Sequence, residues 1–169
     1  MANGKDCEDK SSFDVYREGG STREIRFTIQ LVLVARRWRA LLDEKLRPLD
    51  QSSARMEAMS AIMNSPGPNS QIDIAKRLRI EGPTMTRMID ALSRDGLVER
   101  QQAPTDRRTK YLSLTPKGYE QLEEIFELVD DLRARLLADM PDDQIDHLNE
   151  ILHDMLSRLD DGLPEPRSR

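Results

Sequence analysis

The chain has 169 residues, a formal net charge of −5, a single cysteine and a charged fraction of 34% against an aromatic fraction of 4%. That size suits one domain with arms, and no apolar run approaches the length that spans a bilayer. Cys7 stands alone, which excludes an intrachain disulfide and a multi-cysteine metal site. The opening MANGKDCEDKSSF lacks the basic-then-apolar layout of a secretion signal, so the expected location is the cytoplasm.

Charge is unevenly placed. Residues 70–110 carry nine Lys and Arg against six Asp and Glu, leaving that stretch at +3 and the remainder at −8. A basic segment inside an acidic chain is the footprint of a polyanion-binding element, because the distribution matters more than the sum.

In chain order, residues 1–21 are polar, end in REGGST and read as a flexible arm. From Thr22 to Arg47, Leu31, Val34, Trp38, Leu41 and Leu42 recur at helical steps until Pro48 stops the run. A second helix over about 52–64 carries Met56, Met59, Ile62 and Met63, and SPGPNS breaks it. Ser70 then caps a short helix with Ile72, Ile74, Ala75 and Leu78. Ile80, Glu81 and Gly82 form a tight turn. Pro83 suits the first position of the next helix, which turns Met85, Met88, Ile89 and Leu92 inward and ends at Gly96 as a left-handed cap.

Helix, three-residue turn, helix is a unit that reads DNA. Residues 97–100 and 111–114 are strand candidates joined by a loose hairpin that contains Asp106, Arg107, Arg108 and Lys110. A long helix follows Thr115-Pro116, with Leu122, Ile125, Phe126, Val129, Leu132 and Leu136, and runs to Met140. Pro141-Asp142-Asp143 opens a last helix with Ile145, Leu148, Ile151, Leu152, Met155 and Leu159, and 161–169 form a frayed tail.

The fold class is therefore mainly α with a small β-hairpin. A winged helix-turn-helix over 51–115 is embedded in a helical region made of 22–50 and 116–160. The outer helices present apolar stripes that need cover. Pairing with a second copy is favoured over folding back, since two-fold dimers read palindromic DNA.

At this point the residues resemble a family. RWRALLD at 37–43, LRPL at 46–49, SQIDIAKRLRIEGPTMTRMIDALSRDGLVERQ at 70–101 and DRRTKYLSLTPKG at 106–118 look like the MarR family of bacterial transcription regulators, and within it the SlyA-like branch. The resemblance covers about residues 24–160. It implies a homodimer with interleaved terminal helices, a recognition helix in the major groove, and a wing whose tip enters the minor groove. It also implies control by a small aromatic acid or phenol bound between the dimer region and the winged helix.

Residue roles follow from placement. Pro83, Thr84, Thr86 and Arg87 occupy the start of the recognition helix, where Arg87 is placed to fork onto guanine. Ser70 and Gln71 open the preceding helix, where backbone N–H groups suit a phosphate. Lys110 is a phosphate contact and Arg107 a minor-groove probe. The family pattern makes Asp106 the brace of Arg108.

For the effector, Arg36, Arg39 and Arg55 are candidate cations, Trp38 a stacking surface, and Met56, Met59 and Met63 an adaptable lining. Met56 stands where many family members have an aromatic, which leaves room for a bulkier ligand such as an aromatic thioester. No Ser/His/Asp set, Gly-rich phosphate loop or metal cluster is visible. His147 and His153 fall about 240° apart on a helix and do not pair as ligands. An enzyme, a cofactor and a metal are therefore not expected. The competing readings are a winged helix used for protein–protein contact and a redox-sensing regulator acting through Cys7.

Overall fold

The computed structural model describes residues 11–65, 69–102 and 110–163. Among these residues seven α-helices and three short strands follow one another, with a 3-10 turn at Arg47–Leu49: α1 Ser12–Arg17, α2 Arg23–Leu46, α3 Ser53–Met63, β1 Asn69–Ser70, α4 Gln71–Leu78, α5 Gly82–Arg94, β2 Val98–Gln102, β3 Lys110–Leu114, α6 Pro116–Leu136 and α7 Asp142–Asp161. The chain divides into a unit ending at Ile125 and a unit starting at Phe126, a boundary that falls inside α6.

The first unit is built around α3. Its N-terminus is satisfied twice: the Ser52 hydroxyl accepts from the Arg55 N–H, and Asp43 Oδ1 on α2 accepts from the Ser53 N–H at 2.8 Å. At the other end Arg77 on α4 donates to the Ala61 carbonyl and to the Ser65 hydroxyl, both at 3.1 Å. With both ends capped by neighbouring helices, α3 can be buried nearly all round, and Met56, Ala58, Met59, Ala61 and Ile62 are core. Leu42 and Leu46 of α2, Ile74 of α4, Met85, Ile89 and Leu92 of α5, and Leu122 and Ile125 of α6 complete it.

The strands form an antiparallel sheet in the order β1-β3-β2. Val98 lies opposite Leu114 and Gln102 opposite Lys110, while β1 sets Ser70 against Tyr111. Alternation along β3 buries Leu112 and Leu114 and turns Tyr111 and Ser113 to the other, half-buried face, while Lys110 is exposed because it stands at the outer end of the strand. The hairpin is therefore longer at its outer end than the expected 97–100 and 111–114. The sequence reading missed β1, because two residues are too short to show a period.

Several expectations are corrected. The flexible arm is helical over 12–17: Ser11 accepts from the Asp14 N–H, Arg17 pairs with Asp14, and Arg17 also covers the Phe13 ring at 5.6 Å. It ends in a Schellman turn, with Gly19 at φ 80 and the Gly20 N–H reaching the Val15 carbonyl. Pro83 is the second helical residue, since α5 begins at Gly82. Ile72 is 67% exposed, two residues before the buried pair Ile74 and Ala75 and on another face of the helix. The sixth helix stops at Leu136, where Met140 donates back to the Leu137 carbonyl in a turn before α7.

In the second unit Val129 and Leu132 are buried, and Arg133 pairs with Asp130 and lies over Phe126. None of α7 is buried, and Leu148, Ile151, Leu152, Leu156 and Leu159 are exposed. The same holds for the first half of α2, where Phe27, Ile29, Leu31, Val32, Leu33 and Val34 are exposed. Among the described residues no helix is long and apolar enough to cross a membrane.

Candidate nucleic-acid interface

The geometry of α5 sorts its side chains by period. Met85, Ile89 and Leu92 are buried completely, which turns Pro83, Thr84, Thr86 and Arg87 outward. Pro83 fixes a helical φ in the first turn, and Glu81 at the N-cap makes no side-chain cap bond. Arg87 has no partner among the described residues. Two acids of the helix are already neutralised: Asp90 pairs with Arg100 of β2 at 2.5 Å, and Asp95 with Arg55 of α3 at 2.6 Å. The outward face of the helix start thus presents hydroxyls, a guanidinium and the positive end of the helix dipole, with the exposed carboxylate of Glu81 at the N-cap beside them.

The other end of α5 is fastened tightly. Gly96 takes φ 73, its N–H bonds the Ser93 carbonyl and the Leu97 N–H bonds Leu92, a Schellman cap sealed by the buried Leu92 and Leu97. The Thr115 hydroxyl donates to the Gly96 carbonyl at 2.6 Å and accepts from the Gly118 N–H at 3.0 Å. Lys117 donates to the Asp95 carbonyl at 2.9 Å. A Cβ on Gly118 would sit 2.0 Å from the Leu97 carbonyl oxygen. The segment LTPKG therefore caps α6 and at the same time clamps the end of α5, so the exposed face is held by both flanking elements.

Ser70 and Asp73 form a capping box at the start of α4. Asp73 Oδ2 accepts from the Ser70 hydroxyl at 2.6 Å and from the Ser70 N–H at 3.2 Å, and these bonds hold its carboxyl below the ordinary aspartate value. The Ser70 N–H is therefore occupied internally. Gln71 reaches across to α5, its Nε2 donating to Thr86 Oγ1 at 2.7 Å. Lys110 is exposed at the outer end of β3. Asp106, Arg107 and Arg108, like Cys7, lie outside the described residues.

Against known proteins, the MarR family model matches residues 52–110. The reduced form of MarR from E. coli is 30% identical, with 76% of this chain and 95% of that one covered and a TM-score of 0.65. The chain belongs to the MarR family. A mutant of E. coli MarR complexed with operator DNA is 28% identical, covering 78% of this chain and 94% of that one at a TM-score of 0.70. The transcriptional regulator BldR from Sulfolobus solfataricus is 26% identical, covering 80% and 95% at 0.72.

Within this MarR-family fold the expected effector residues are spread out. Met56 and Met59 are core and Met63 is 38% exposed. Arg39 pairs with Glu57 at 2.7 Å, and Arg55 is held by Asp95 and by Gln51 Oε1 at 2.9 Å. Arg36 is exposed and Trp38 half-buried.

None of these seven lines either of two cavities in the first unit. One, of about 450 Å3, is bounded by Gln71, Ile72, Ala75, Lys76, Arg79, Ile80, Glu81 and Gly82. The other, of about 400 Å3, is bounded by Leu49, Asp50, Gln51, Asp95, Leu97, Lys117 and Gln121. No group of three or more metal-ligating side chains occurs among the described residues. Sequence reasoning missed the roles of Asp90, Asp95, Arg100 and Lys117. Their partners lie 10 to 40 residues away, beyond any helical or strand period.

Proposed function

We propose that this MarR-family regulator is a homodimeric repressor that binds a palindromic operator through α5 and the β2–β3 wing, and that a small aromatic acid, phenol or related thioester releases it. The observation that carries the DNA reading is the start of α5. Pro83, Thr84, Thr86 and Arg87 face outward there, and Asp90, the acid within the same helix, is paired with Arg100. Family membership and the operator complex of E. coli MarR support the same reading. The exposed apolar residues of α2 and, separately, of α7 support a second copy as their cover.

Arg107, Arg108 and Lys110 would add minor-groove and phosphate contacts, and Asp106 would brace Arg108. For the effector, Arg36 is the uncommitted cation of the expected set, with Trp38 beside it on α2, because Arg39 and Arg55 already serve carboxylates. The regulator would act in the cytoplasm.

The test is fluorescence anisotropy of the full chain with duplexes tiled across its own upstream region, over a salt series. A specific site should appear whose affinity falls steeply with salt, as phosphate contacts release counterions. Absence of any salt-sensitive specific site would overturn the reading. Thermal-shift screening of aromatic acids and their thioesters checks the effector class.

A further inference from the structure

Resting on the DNA reading above, we infer that Gln71 and Thr86 act as one unit, in which Thr86 positions Gln71 and only Gln71 bonds the DNA, at a backbone phosphate. The two residues come from different helices of the helix-turn-helix. Gln71 is the first residue of α4, and Thr86 lies one turn into α5.

The hydrogen bonding decides the roles. A hydroxyl carries one hydrogen, and that of Thr86 is spent on the Gly82 carbonyl four residues back, at 3.0 Å. One of its lone pairs takes the Gln71 Nε2–H at 2.7 Å. Thr86 therefore has no hydrogen left to donate to a phosphate or to a base acceptor while the pair stands. Gln71 keeps a second amide N–H.

That amide sits on the exposed side of the first helix, whose start crosses the DNA backbone in this class of fold. A phosphate oxygen accepts and never donates, so it matches the remaining N–H and leaves the Gln71 carbonyl oxygen without a role. Anchoring by Thr86 fixes the amide before DNA arrives, which removes the entropy of freezing a long side chain at the interface. A phosphate contact of this kind positions α5 in the groove and carries no sequence information.

The experiment compares wild type with Q71A, T86V, T86S and the Q71A/T86V double variant. The probes are a duplex that wild type enriches from a random-sequence pool and an unrelated duplex, each titrated across a salt series. Q71A and T86V should each weaken both duplexes about three- to tenfold, the worth of one ordinary hydrogen bond. The salt slope should not change, because no counterion is tied to a neutral amide. The double variant should bind no more weakly than Q71A, and T86S, which keeps the hydroxyl, should bind like wild type.

Losses that multiply in the double variant would overturn the inference, as would a T86V effect confined to one base pair or a Q71A that binds like wild type. Wild type that enriched no duplex would overturn the DNA reading itself. That outcome is distinguishable, since every variant would then be equally silent.

Discussion

At the scale of single residues, Arg87 and Asp73 make opposite uses of charge. Arg87 is exposed on the outer face of α5 and has no partner among the described residues, so its guanidinium is available for a bidentate contact. Arg87→Ala should cost about 1–3 kcal/mol of binding to the enriched duplex and relax preference at one base pair, measured by anisotropy against a panel of single-base changes.

Asp73 is committed inward, where the Ser70 hydroxyl and N–H favour its charged form. A carboxyl whose folded value lies below its unfolded one contributes stability above the unfolded value and loses it as pH falls through the folded value. Asp73→Asn should therefore lower the urea midpoint at neutral pH and flatten its decline below about pH 4. An unchanged acid limb would show that the capping box contributes nothing to acid sensitivity.

Among the elements, the junction of α5, β2 and α6 is the tightest. Gly118 is required there because its α-carbon faces the Leu97 carbonyl, with 2.0 Å left where a Cβ would go. That atom is backbone, and it already accepts the Thr115 N–H, so it cannot yield cheaply. Gly118→Ala should destabilise the chain by about 1–3 kcal/mol in urea unfolding, as overpacked positions do. Met59 illustrates the reverse, a fully buried side chain at the centre of α3. Met59→Ala should cost about 2–5 kcal/mol in the same measurement, through lost burial and a residual cavity.

For the molecule as a whole, the decisive feature is apolar surface without a cover in the single chain. Val32, Leu33 and Val34 are 47%, 51% and 62% exposed. Successive helical residues point about 100° apart, so the three face in widely different directions and need more than one covering element. With the proposed homodimer, wild type should sediment as a dimer and Leu33→Asp as a monomer in sedimentation velocity, and the variant should lose tight binding to a palindrome while keeping weak binding to a half-site. A variant that remained dimeric would place the subunit contact elsewhere.

Much of this architecture was legible in the sequence, for local reasons. The helix-turn-helix is written in short-range chemistry: Ser70 as a cap, Pro83 in the first turn, Gly96 where only a left-handed residue fits, and buried positions at helical spacing. The basic middle segment and the paired strands are equally local signals. Where reading went astray, the signal was either too short or tertiary. β1 is two residues long. The helix at 12–17 depends on a cation–π contact and a double-glycine turn within a polar stretch. The methionines of α3 kept their helical spacing, but whether they line a site or fill the core depends on what surrounds them.

By itself, then, the sequence determined the order of the longer helices and the hairpin, the caps of the helix-turn-helix and the family, because caps, turns and periodicity act between residues a few positions apart. Only the tertiary structure decided which charges are spent. Arg55, Arg39, Asp90 and Asp95 looked equally available in the sequence and are ion-paired in the fold. It likewise decided that Thr86 faces Gln71 across the helix-turn-helix. Such pairings join residues 10 to 40 apart in the chain, and no local pattern encodes a partner at that distance.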